Sequence, residues 1–177
     1  MIRGIAGTAQ GRFIYSLRFI PEEIDRAKLR TTLLYLFSDR IRAGIEWNPL
    51  AEDASLLVNV HVLREARNRP AVILGLSSDR IGTPSGKSIF ATVSYDLKPL
   101  TGLSIAPYLG AARGTFEDKT RAIAGLNVRF SSSISALAIF DGVHLHEVFS
   151  FEHGRHGLSA VLVRNGRRLG LSYNVVF

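Results

Sequence analysis

Apolar and polar residues alternate one by one along most of this chain. In residues 11–20 (GRFIYSLRFI), Phe13, Tyr15, Leu17 and Phe19 share one parity, and Arg12, Ile14, Ser16 and Arg18 share the other. Residues 40–47 set Ile41, Ala43, Ile45 and Trp47 against Arg40, Arg42, Gly44 and Glu46. Residues 55–63 set Leu56, Val58, Val60 and Val62 against Ser55, Leu57, Asn59 and His61. The same alternation runs through 71–78, 88–97 and 121–130, the last with Arg121, Ile123, Gly125, Asn127 and Arg129 on the more polar parity. Successive side chains of a strand point to opposite faces, so each segment predicts a strand with one apolar and one mostly polar face. Residues 29–37 and 103–112 are apolar on both parities, which leaves their registers open, and Pro107 predicts a bulge.

Between these segments lie turn-forming stretches. Residues 21–28 predict a polar loop with a helical turn, and 79–87 (DRIGTPSGK) a longer Gly/Pro/Ser loop. Asp141-Gly142 and Asn165-Gly166 are hairpin signals. The count reaches about twelve strands with no long helix, in a single domain over 1–177 that begins with an N-terminal extension at 1–10. An open sheet with so many apolar faces would expose far more than the ~400 Å² patch a soluble surface tolerates. Lipid on one face, water on the other and a partner at both edges satisfy it instead, which only a closed barrel provides. The expected fold is therefore all-β, a closed antiparallel transmembrane barrel. An even count places both termini at one end. The connections at 21–28, 48–54, 79–87 and 113–120 then fall at the other end, as the longer, extracellular set.

The last segment carries a resemblance. Leu169, Leu171, Tyr173, Val175 and Phe177 form an apolar row, alternating with Arg168, Gly170, Ser172, Asn174 and Val176. This ending resembles the C-terminal signal of bacterial outer-membrane β-barrels, which close on Phe. The resemblance implies an outer-membrane location and recognition by the barrel-assembly machinery. The stretches GLSSDRIGTPSG (75–86), APYLGA (106–111) and ALAIFDGVHLH (136–146) are similar to small, porin-like bacterial barrel proteins. That likeness brings no particular activity with it. Residues 1–10 hold no apolar core of the ~7–15 residues a signal peptide needs, so an exported chain would be read here in its mature form.

Composition narrows the function. The chain has no Cys, which excludes disulfide and thiol chemistry. Its net charge is +7, with Lys and Arg spread along strands instead of gathered on one helix or run, which argues against a nucleic-acid surface. The polar parities instead predict a lumen lined by Arg12, Arg18, Arg40, Arg42, Arg121, Arg129 and Arg168, with Glu46, Asn59, His61, Asp96 and Asn127 among them. Asp141 joins the acidic minority. Such a lumen suits an anionic solute or acidic saccharide. About eight strands are filled by side chains and about sixteen leave a water channel, so twelve admit a narrow channel or an occluded one. Two rival readings stand beside the channel: a non-conducting accessory barrel in a larger envelope assembly, and a soluble ligand-binding barrel.

Candidate chemistry is sparse. His144 and His146 share a strand face, an HxH spacing that lacks a third ligand, so no metal and no cofactor are expected. His146 and Ser150 lie about 13 Å apart along one strand, out of hydrogen-bond reach, and no enzyme is predicted. GTPSGK at 82–87 lacks phosphate-loop spacing. Trp47 and Tyr15, Tyr35, Tyr95, Tyr108 and Tyr173 are expected as interfacial anchors. Glu147 interrupts the row of Leu145, Phe149 and Phe151 and predicts a bulge or a rim.

Overall fold

The computed structural model describes residues 11–177, so the extension at 1–10 lies outside the described residues. The chain runs β1 (Phe13–Phe19), α1 (Asp25–Lys28), β2 (Leu29–Leu36), β3 (Ile41–Asn48), a short 3-10 turn (Pro49–Ala51) and β4 (Asp53–Leu63). It continues through β5 (Ala71–Ser78), β6 (Lys87–Ser94), α2 (Lys98–Thr101), β7 (Ile105–Gly114) and β8 (Lys119–Arg129). It ends with β9 (Ile134–Phe140), β10 (Leu145–His153), β11 (His156–Val163) and β12 (Arg168–Val176). Each strand pairs with its neighbours in sequence, and β1 pairs with β12, so the sheet is a closed antiparallel barrel. The seam runs from Ile14 opposite Val176 to Phe19 opposite Leu171. Beyond it, Phe13 N–H donates to the Phe177 carbonyl (2.9 Å) and Phe177 N–H to that of Phe13 (3.0 Å). Their rings stack with centroids 5.8 Å apart.

Pairing settles the registers that periodicity leaves open. β2 meets β1 with Leu29 opposite Phe19 and Tyr35 opposite Phe13, which puts Leu29, Thr31, Leu33 and Tyr35 outside and Arg30, Thr32 and Leu34 inside. β7 pairs with β8 without interruption from Ile105 to Gly114, so the bulge expected at Pro107 is absent. The Pro107 carbonyl accepts from Tyr95 N–H, which shows that its ring nitrogen also faces the β6 side. β6 has already ended at Ser94 there, and the sheet has no ladder bond to lose. The register shift occurs instead in β4, between His61 and Leu63. Nor does Glu147 cause a bulge: it stays in register between Ala138 and Leu162, on the outer face.

The burial pattern is inverted relative to a soluble domain. Among the described residues the outer wall exposes Leu56, Leu74, Ile89, Leu109, Leu158 and Leu171, each at least 47% accessible. Glu46, Asn48, Thr92, Ser159 and Asn174 are buried on the inner face. Apart from Phe149 at the middle of β10, the exposed phenylalanines and Trp47 lie toward the two ends, with Phe13, Phe37, Phe130, Phe151 and Phe177 at the end holding both chain termini. Phe19, Trp47, Phe116 and Phe140 lie at the other. Tyr108 departs from the expected girdle: it sits on the inner face, packed over Gly125 of the neighbouring strand.

The two ends are not separated by loop length as expected. The segments 20–28 and 79–86 do lie at the end away from the termini. The connection at 95–104, with α2, lies at the terminal end and is no shorter. What distinguishes the far end is that its longest segment folds inward.

Candidate functional site: a plugged lumen

Residues 20–28 turn back into the barrel mouth. Ile20 and Ala27 are buried there, and Ile20 joins Val161 and Val163 in an apolar cluster with Ile81 and Val148 packed against it. Burying this apolar edge anchors the segment against β10 and β11. Its polar side chains then have to find partners inside the mouth. Arg26 does so on the 79–86 loop: its Nε donates to the Thr83 carbonyl at 2.6 Å, and its Nη2 to the Arg80 carbonyl and Thr83 Oγ1, each at 2.7 Å. Glu23, with a fully buried side chain, accepts from Arg164 Nε at 2.6 Å and pairs with Arg168 Nη1 at 3.0 Å. The plug is therefore clamped on two sides of the mouth, by the loop after β5 and by the β11–β12 turn.

A second polar cluster closes the mouth beside it. Glu117 bridges Arg80 (2.6 Å) and Arg121 (2.5 Å). Hydrogen bonds from Arg121 and Arg80 hold its carboxyl below the usual range. Asp141 accepts from His146 Nε2 (2.9 Å) and from the backbone N–H groups of Val143 (2.9 Å) and His144 (2.7 Å). Burial disfavours the Asp141 charge, but these bonds outweigh it and keep its carboxyl below the ordinary value. Carboxylates with depressed pKa values contribute their stability in full above about pH 4, and lose it as pH falls through the folded-state values. Acidification from pH 5 to 3 is thus expected to loosen this mouth selectively. Amide exchange should rise at 115–118 and 141–144 while the β1–β12 seam stays protected. Unchanged protection of those turns at pH 3 would contradict the assignment.

Behind the plug the lumen holds two large cavities. One, of about 500 Å³, is lined by Ile73, Phe90, Thr92, Tyr108, Ile123 and Leu137, with Asn59, Asp96, Asn127 and Arg129 around them. The other, of about 360 Å³, lies against β1, β2 and β9–β12 and is rich in hydroxyls. They adjoin at Asn127, Leu137 and Ile139. Arg18 and Arg30 line the second cavity and also the space of about 250 Å³ beneath the plug, where Arg30 pairs with the buried Glu46.

The residues expected in the lumen therefore divide. Arg18, Glu46, Asn59, Asp96, Asn127 and Arg129 line its cavities, and Asp96 also accepts from Lys98 N–H at 2.9 Å. Arg121 and Arg168 belong to the far mouth, in ion pairs with Glu117 and Glu23. Arg42 and His61 face inward near the terminal end, half-buried. Two residues fall elsewhere. Arg12 precedes β1 and lies exposed on the rim, where its Nη1 donates to Tyr35 Oη at 3.3 Å. Arg40 lies exposed in the turn before β3, whose strand begins at Ile41. In both cases the strand ends one residue short, and the long side chain reaches water instead of the lumen. Leu169, Leu171, Tyr173 and Val175 share the outer face of β12, and Phe177 stands beside Phe13 at the seam.

Glu23, Arg26, Arg30, Phe90 and Tyr108 were not legible as site residues. The inner glycines opposite the two aromatics, Gly75 and Gly125, were the available signal, since a glycine inside a strand marks close approach by a neighbour. Ser150 bonds Ser159 at 2.9 Å, across β10–β11. Neither the protein-family models nor the curated proteins searched match this chain.

Proposed function

We propose that this chain is a bacterial outer-membrane barrel whose lumen is closed at rest by the 20–28 plug and takes an anionic solute. The inverted distribution carries the proposal: an exposed apolar wall between two aromatic ends, around a buried polar interior. A bilayer covers that wall as water cannot. The row from Leu169 to Phe177 serves as the signal for the barrel-assembly machinery. The clamped plug favours a narrow, gated channel over an open pore, because Glu23 and Arg26 tie the segment to both sides of the mouth.

Heat-modifiability in detergent, followed by planar-bilayer recording, tests this reading. The unboiled protein should run as a compact SDS-resistant band, convert on boiling, and show little steady conductance. Identical migration of both samples, with solubility in plain buffer, would overturn it.

A further inference from the structure

Two of the carboxylates nearest the plug are already engaged by arginines. Glu46 is taken by Arg30, and Glu23 by Arg164 and Arg168. Arg18 stands opposite Arg30 across the β1–β2 pair. Its Nε is buried with no hydrogen-bond partner, and Arg18 forms no ion pair among the described residues. Arg18 is half-buried, and its buried Nε donor is left unsatisfied beside the like charge of Arg30, with Glu46 and Glu23 acting on it only from beyond ion-pair distance; an anion from outside the chain would complete the site.

Strand register supplies the surroundings. Ser172 sits opposite Arg18, Ser159 opposite Ser172, Ser150 opposite Ser159 and Ser135 opposite Ser150. A row of hydroxyls therefore crosses β12 to β9, starting at the arginine. Strands of a closed barrel tilt by roughly 35–45°, so a row perpendicular to them climbs the wall as a ramp. Phe90 of β6 and Tyr108 of β7 line the adjoining cavity, which meets the hydroxyl-lined one at Asn127, Leu137 and Ile139. The Cβ that Gly75 lacks would stand almost directly over Phe90 Cζ, 2.6 and 2.7 Å from the two Cε atoms. The ring thus lies flat on the wall with its free face toward the cavity, and Tyr108 lies over Gly125 in the same way.

A ramp of hydroxyls, two flat aromatic faces and a guanidinium with an unsatisfied donor match one ligand chemistry. Sugar hydroxyls bond to serines, the C–H faces of sugar rings stack on flat aromatics, and a carboxylate takes the guanidinium in a bidentate pair. An acyl chain would meet a wall of hydroxyls, and a bare inorganic anion would leave the aromatic faces unused. The cavities of about 500 and 360 Å³ fall in the range of ligand sites. We infer that the lumen is a binding track for an acidic oligosaccharide, with a uronate carboxylate on Arg18 and sugar rings on Phe90 and Tyr108. This deepens the proposed function and rests on it.

The test uses the full chain in detergent, with tetragalacturonate as the probe, read by calorimetry beside the gel assay. Saturable binding is expected, at least tenfold tighter than for maltotetraose. Arg18→Gln should weaken it roughly tenfold to a hundredfold. Phe90→Leu keeps the apolar bulk and should weaken it severalfold. If inorganic phosphate competes as well as the oligosaccharide and Phe90→Leu binds like the wild type, the saccharide assignment is overturned. It is also overturned if tetragalacturonate fails to bind protein that keeps its compact band. Loss of that band from the wild type would instead overturn the membrane proposal along with it.

Discussion

Glu23→Gln is expected to unclamp the barrel at its far mouth. The Glu23 side chain is fully buried and meets two guanidiniums, Arg164 at 2.6 Å and Arg168 at 3.0 Å. Glutamine keeps the shape but removes the charge, leaving two cations facing each other. Breaking a buried pair in this way typically costs about 3–5 kcal/mol. Both guanidiniums are more than a quarter exposed, so water screens part of the loss, and about 3 kcal/mol is the expected destabilisation. The same change frees one of the two clamps on the 20–28 segment. Limited proteolysis should then cut within 20–28, and planar bilayers should show flickering current absent from the wild type. A variant that unfolds at the wild-type denaturant concentration, resists the protease and stays silent would refute the clamp.

Leu171→Arg is expected to cost about 2–4 kcal/mol in a bilayer, the penalty for a cation on the lipid face near mid-depth. Leu171 lies in the middle of β12, on the outer wall, 57% exposed. Ser172 is its neighbour on the inner face. The same substitution there should cost less than about 1 kcal/mol, set by like-charge repulsion from Arg18 on the adjoining strand. Reversible folding into lipid vesicles, followed by tryptophan emission from Trp47, measures both. Equal penalties at the two positions would remove the basis for a lipid-facing wall.

Much of the barrel was readable from periodicity, because one-residue alternation fixes which face each side chain takes. That is why parity alone puts Arg18, Glu46, Asn127 and Arg129 on the inner face, where the cavities lie. Parity does not say how far along the barrel a residue lies. Arg121 and Arg168 share that parity, yet close the mouth through Glu117 and Glu23. It fails at strand ends as well, where Arg12 and Arg40 have no neighbour on one side to hold them inward. The plug was beyond reach for a different reason. Arg26 is held by carbonyl groups of a loop more than fifty positions away, and carbonyls are the same for every residue type.

The seam between β1 and β12 also bears on when this protein can fold. Residues 14–19 find their second partner only in residues 171–176. Every hairpin between them can form locally, but the ring stays open until the most distant segments of the sheet meet. Pairings of such long sequence separation are slow to form. A partly synthesised chain has no closed state to fall into, and a truncated one keeps two raw edges. The ring is thus an all-or-nothing object, whose last closure waits on the final residues of the sheet.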